Sequence, residues 1–190
     1  MTPSSAAPTD DRIIEATLEL IAQEGLGTVT MLRIAETAGI ARQTLYNHYA
    51  DVDSIVAEAI NRHNRESIIL LESALSVVDS PDGKLEQLVR HIVSLGGHAH
   101  QARGIEQGLS AGARATLRGY EETLVQRIRE ILEDGKGTRV FRGDLAPEID
   151  AILIRHMLAG LAERSATAQD DAATLAATGA RTILAAVANR

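Results

Sequence analysis

The chain has 190 residues, enough for one sizeable domain or for a small head on a larger body. Its apolar residues are mostly Ala, Leu, Ile and Val, and one Phe, three Tyr and no Trp favour helices over sheet. The absence of cysteine excludes disulfides, thiolate metal sites and cysteine chemistry, and a net charge of −7 argues against a general nucleic-acid coat protein while leaving room for a local DNA-facing surface.

No apolar run is long enough to cross a bilayer. Met1–Asp10 lacks the basic and apolar regions of a signal peptide, so a soluble cytoplasmic protein is expected. This stretch, rich in Pro, Ser, Ala and Thr, reads as a disordered lead over residues 1–10. It carries no Lys or Arg with which an N-terminal arm would enter a minor groove. Asp11–Glu24 forms a first helix, with Ile14, Thr17, Leu18 and Ile21 as its buried stripe. Gly25 closes it and Leu26 folds back onto it.

The stretch from Thr30 to Tyr49 organises the rest. Thr30 is placed to N-cap a short second helix, since its hydroxyl accepts a free backbone N–H. Ile34, Ala35 and Ala38 share one face of that helix. Gly39 ends it where a positive φ is wanted. Ile40 and Leu45 then pin a third helix back onto the second, and small Ala35 lets the two approach closely. This is a helix-turn-helix, whose second helix lies in the DNA major groove. On that reader Leu45 and Tyr49 face the core. Arg42, Gln43, Thr44, Asn47 and His48 lie on the outer face or its edges. Gln and Asn pair bidentately with adenine, and Arg with guanine. Between Asp10 and Asn47 there are three Arg against six acidic residues, most of the acids on the first helix, which predicts modest non-specific affinity.

Thr30, Ile34-Ala35, Ala38-Gly39-Ile40 and Thr44-Leu45-Tyr46-x-His48-Tyr49 together resemble the signature of the tetracycline-repressor (TetR) family of transcriptional regulators. The resemblance implies that Tyr46 and His48 touch phosphates and that Thr30 does so from the start of the second helix. Two positions depart from the family pattern. Ala41 stands where a capping Ser or Thr often begins the recognition helix, and Ala50-Asp51-Val52-Asp53 supplies no cation where a Lys commonly follows.

Past the reader, Asp51 to Val78 reads as one long helix, with Val52, Val56, Ala59, Ile60, His63, Ser67, Leu70, Leu71, Ala74 and Leu75 at helical spacing. A rigid rod of this kind is a plausible lever between two halves. Asp79-Ser80-Pro81-Asp82-Gly83 is a turn cluster. A fifth helix follows, burying Leu85, Leu88, Val89, Ile92 and Val93. His91 and His98 share a face of it, but no carboxylate at helical spacing joins them, so no metal is expected and polar pocket lining is the better reading. Gln101–Ser110 is a short sixth segment. Ala111–Glu133 is a seventh helix with Leu117, Tyr120, Leu124, Ile128 and Ile131 on one face. Asp134–Asp144 is a Gly-rich loop. Pro147 opens an eighth helix whose stripe is Ile149, Leu153, His156, Met157, Gly160 and Leu161. The ninth runs from about Asp170 to Ala188, with Ala172, Leu175, Ala176, Gly179, Ile183 and Val187 spaced for close packing.

The expected fold is therefore all-α with about nine helices: a helix-turn-helix head over residues 11–50, with its motif at 30–49, and a helical body over 51–190. By resemblance the protein is a homodimer paired through its last two helices, and a repressor released from a palindromic double-stranded operator by a small molecule. No cofactor, no catalytic residue and no membrane partner are expected. The DNA-binding set is Thr30, Arg42, Gln43, Thr44, Tyr46, Asn47 and His48. The pocket candidates are His91, His98, Arg103, Tyr120, His156 and Met157, within an aliphatic body suited to a largely apolar ligand. A small helical enzyme and a helical protein-binding adaptor are the rival readings. Scattered histidines without a catalytic spacing weigh against the first.

Overall fold

Helices begin where a side chain or a proline deals with the free N–H groups of a first turn. In the computed structural model, which describes residues 8–95, 110–166 and 171–189, eight α-helices follow this rule to varying degrees. They are α1 (Thr9–Glu24), α2 (Met31–Thr37), α3 (Arg42–His48), α4 (Val52–Ser76), α5 (Pro81–Ser94), α6 (Ala111–Gly137), α7 (Pro147–Ala166) and α8 (Ala172–Val187). A 3-10 turn at Leu26–Thr28 links α1 to α2. The expected sixth helix lies outside the described residues except for Ser110, so the expected seventh, eighth and ninth helices are α6, α7 and α8. Thr30, Ser80 and Asp171 cap α2, α5 and α8 by accepting from the N–H groups of Arg33, Gly83 and Thr174 at 3.3, 3.3 and 2.9 Å. Asp51 does the same for α4, accepting from Ser54 at 2.8 Å.

The chain divides into two compact units, Met1–Arg65 with Arg103–Arg118, and Glu66–Ala102 with Gly119–Arg190. The first is built on Ile13, Ile14, Leu20, Ile21, Val29, Ile34, Ala35 and Leu45. It also claims Ile55, Val56 and Ala59 of α4. This is why it extends past the expected boundary at residue 50: the first turns of α4 bury into the head. It also begins earlier than expected. α1 starts at Thr9, because Asp10 is held by the Tyr49 hydroxyl and by Arg62.

In the second unit α5 packs against α7 and α8, which also pack against each other. The core joins Leu85, Leu88, Val89, Ile92 and Val93 of α5 with Ile128, Ile131 and Leu132 of α6, Ile154 and Leu158 of α7, and Ile183 and Val187 of α8.

Three details of this unit refine the sequence expectation. The helix after Asp79 starts at Pro81 rather than beyond Gly83, since proline at the first helical position has no N–H to satisfy and Ser80 caps the turn. α6 runs on to Gly137, into the expected Gly-rich loop, because Phe141 folds back over it. The Phe141 N–H donates to the Gly135 carbonyl at 2.9 Å, and a Cβ on Gly135 would overlap the Phe141 ring. Phe141 and Ala188 form an isolated antiparallel bridge that ties this turn to the end of α8. Third, the stripe read on α7, assigned by resemblance to pairing between copies, turns outward except at Leu161, which packs against the core. Ala151, Ile154, Leu158 and Ala162 are buried instead, leaving Ile149, Leu153 and Met157 at 62%, 56% and 39% exposure. On α8 the expected residues Leu175, Ala176, Gly179, Ile183 and Val187 do pack inward, and Ala172 is exposed.

Candidate nucleic-acid interface

The turn between α2 and α3 is set by backbone geometry and by one cation. Gly39 sits at φ 62°, the left-handed region that glycine enters without a Cβ penalty. The Ile40 N–H then reaches the Ala35 carbonyl at 3.0 Å. The carbonyls of Ala38 and Gly39 point away from the helix and accept from Arg12 Nη2 at 2.5 and 2.9 Å. Arg12 of α1 thus closes the turn, a role no sequence pattern indicated.

α3 is a seven-residue helix held by one fully buried side chain, Leu45. Thr44 is half-buried, while Arg42, Gln43, Tyr46, Asn47 and His48 are exposed, Tyr46 at 54%. The outward face is therefore a continuous polar surface ending in an aromatic. Gln43 Nε2 donates to Asn47 Oδ1 at 3.1 Å, which aligns the two amides along this face. No side chain caps α3 at Ala41, as expected. Thr30 uses its oxygen as the α2 cap and keeps its hydroxyl hydrogen for an outside acceptor.

The C-terminal end of α3 is fixed from two sides. The Tyr49 hydroxyl donates to Asp10 Oδ1 at 2.6 Å, and Asp10 Oδ2 accepts from Arg62 Nη2 of α4 at 2.7 Å. Arg62 also pairs with Asp11. Burial, and then the Asp10 carboxylate, push the Tyr49 hydroxyl pKa well up, so it remains a donor at any working pH. His48 Nδ1 lies 4.0 Å from Asp10. Glu24 forms a two-pronged pair with Arg33, which holds its carboxyl below the usual range. Of the three arginines between Asp10 and Asn47, Arg12 and Arg33 are thus engaged internally. Arg42 makes no ion pair among the described residues.

The pocket candidates separate. His98 and Arg103 lie outside the described residues. His91 and Tyr120 come together in the second unit, where Ser67 Oγ meets His91 Nε2 at 3.3 Å and the Tyr120 hydroxyl at 2.9 Å. Burial lowers the His91 pKa and raises that of Tyr120. Ser67 itself, 3% exposed, was read from the sequence only as part of a helix stripe. His156 and Met157 do not join this cluster. Both sit on the exposed face of α7, where His156 Nδ1 lies 2.7 Å from the Ile152 carbonyl and the ring touches Arg155.

Residues 13–59 match the family model described as bacterial regulatory proteins, tetR family. The chain is 27% identical over 134 residues to an uncharacterized HTH-type transcriptional regulator of Mycobacterium bovis, covering 70% of this chain and 66% of that one. Its fold resembles a putative transcriptional regulator from Saccharomonospora viridis, solved with choline, at TM-score 0.85 and 20% identity over 95% of this chain and 98% of that one. It also resembles a putative TetR-family regulator from Rhodococcus sp. at TM-score 0.83 and 18% identity, over 94% and 98% of the two chains. No helix among the described residues is long and apolar enough to cross a membrane. With the motif on the page, its turn closed by Gly39 and Arg12 and α3 presenting a polar face, residues 13–59 match the helix-turn-helix segment of the tetR family of bacterial regulatory proteins, and the chain is similar to helix-turn-helix transcriptional regulators.

Proposed function

We propose that this protein is a cytoplasmic repressor that binds a palindromic operator as a homodimer and leaves it when a small molecule occupies the second unit. The observation that carries the reading is the outward face of α3, where Arg42, Gln43, Tyr46, Asn47 and His48 are exposed over the single anchor Leu45. Arg42, Gln43 and Asn47 read base edges, with Thr44 at the margin of the face. Tyr46, His48 and Thr30 meet phosphates and set the register.

Two half-sites require a two-fold protein. The exposed row Ile149, Ile152, Leu153 and Met157 on α7 supports pairing through α7 and α8, since it is apolar, contiguous at helical spacing and uncovered in one chain. A structural neighbour is solved with choline, which supports a small-molecule effector for this fold. His91 and Tyr120 are the polar lining of the pocket. The effector acts by binding more tightly to the conformation whose two recognition helices do not match adjacent major grooves.

Selection of bound fragments from random DNA by the purified chain at near-physiological salt tests this. A palindrome with half-sites about one helical turn apart, or a multiple of it, is the expected result. The Arg42→Ala, Gln43→Ala double variant is expected to stay folded and lose sequence preference. Unchanged enrichment would move the reading face elsewhere.

A further inference from the structure

Asp10 stands beside the last turn of the recognition helix, where an acid on its own would repel a phosphate. It belongs to a cluster built by α1, α3 and α4. Asp10 and Asp11 of α1 both reach one guanidinium, that of Arg62 on α4, so two carboxylates share a single cation. Glu58 of α4 is matched separately by Arg65 at 3.1 Å. Tyr49 adds a hydrogen but no charge, since its hydroxyl donates to Asp10 Oδ1 at 2.6 Å and stays protonated. The cluster is thus left with one uncompensated negative charge.

His48 is placed to compensate it. This last residue of α3 turns Nδ1 to Asp10 Oδ1 at 4.0 Å, the reach of an ion pair and too long for a hydrogen bond. Its other ring nitrogen, Nε2, has no partner among the described residues. A neutral imidazole carries one hydrogen. With that hydrogen on Nδ1, Nε2 is an acceptor and turns a phosphate oxygen away. With it on Nε2, the Nδ1 lone pair faces a carboxylate. Only the imidazolium, a donor at both nitrogens, suits an anion on each side.

We propose that Asp10 is a positioning residue for the reader: it keeps the Nδ1 edge of His48 inward and holds the ring as an imidazolium, so that α3 ends in a cation whose Nε2–H donates to a DNA phosphate. This rests on reading His48 as a phosphate contact of a DNA-binding head. The cation stands in for the lysine that Ala50-Asp51-Val52-Asp53 does not supply. An acid in an acidic head therefore strengthens the grip on DNA instead of weakening it.

Operator affinity is measured over a range of salt for the full native chain, His48→Gln, Asp10→Asn and the double variant, at about pH 7.5, above the ordinary histidine value. Asparagine keeps an oxygen for Tyr49 and removes the charge. His48→Gln should make the salt slope shallower by about 0.9, the worth of one phosphate contact. Asp10→Asn should do the same and weaken binding about fivefold, the upper worth of an exposed ion pair. Adding His48→Gln to it should then cost nothing further. Lowering the pH to about 6 should restore the slope to Asp10→Asn and not to His48→Gln, because bulk protons then do what the missing carboxylate did. NMR of the His48 ring in the native complex, assigned from the loss of its signals in His48→Gln, needs no Asp10 variant and should show both nitrogens protonated. Tighter binding by Asp10→Asn, an unchanged slope, or a neutral His48 ring in the complex overturns the assignment. If the native chain selects no operator, it is the regulator reading that fails, and the slopes and the ring are then read on random duplex, since phosphate contacts need no sequence.

Discussion

Ala41 opens the recognition helix without a side-chain cap, while Thr30, Ser80 and Asp171 cap theirs. Ala41→Ser supplies the missing acceptor to the first turn of α3 and is expected to stabilise the chain by about 1 kcal/mol, read as a rise in the thermal midpoint. His91 gives a second expectation at this scale. Its pKa is lowered in the fold by burial, so below the ordinary value of 6.5 the unfolded chain binds a proton that the folded one does not. Stability therefore falls as pH drops from about 6.5 toward the folded pKa, and below that the loss is complete. His91→Gln should flatten that part of the denaturation profile, whereas an unchanged slope would place the titrating group elsewhere. The sequence made some of these residues legible and hid others. Thr30, Gly39 and Leu45 carry signals of type and spacing. Arg12, Asp10 and Ser67 act through partners 26, 39 and 24 residues away, and no local pattern encodes such distances.

Among the helices, α7 shows why periodicity alone does not tell which face packs within one chain. Its apolar residues form two rows, Ile149, Ile152, Leu153 and Met157 on one side and Ala151, Ile154, Leu158 and Ala162 on the other. The bulkier row drew the sequence reading, but the row with more alanine is the one that packs. Small side chains admit α5 and α8 closely, and the large ones are left outside. α6 makes a related point through glycine. Gly135 lies under the Phe141 ring, and Gly119 has no neighbour within 4 Å of an added Cβ. Gly135→Ala should therefore destabilise the chain by about 1–3 kcal/mol through overpacking. Gly119→Ala, on the same helix, should stabilise it by up to about 1 kcal/mol through helix propensity. Chemical denaturation of the two variants separates packing from propensity.

At the scale of the whole molecule, pairing through α7 and α8 has a direct test. Leu153, 56% exposed, sits in the middle of the outward row. Leu153→Asp should leave the fold of one chain intact and yield a monomer by light scattering. Operator affinity should fall with it, because each half-site is then bound independently. A variant that remains dimeric would assign the outward row to another partner. Net charge belongs to this scale too. At −7 the chain is repelled by DNA at long range, so binding relies on the local contacts of α3.

Arg12 closing the α2–α3 turn and Arg33 paired with Glu24 also bear on time spent at the wrong place. Neither is free to displace counterions from the duplex, so encounters with random sequence should be short and should not weaken steeply with added salt. Target location would then rely on repeated landings from solution more than on sliding along the chromosome. A vacated promoter would be reoccupied at a rate that follows the number of copies in the cell, and the response to a fading signal would be set by expression level.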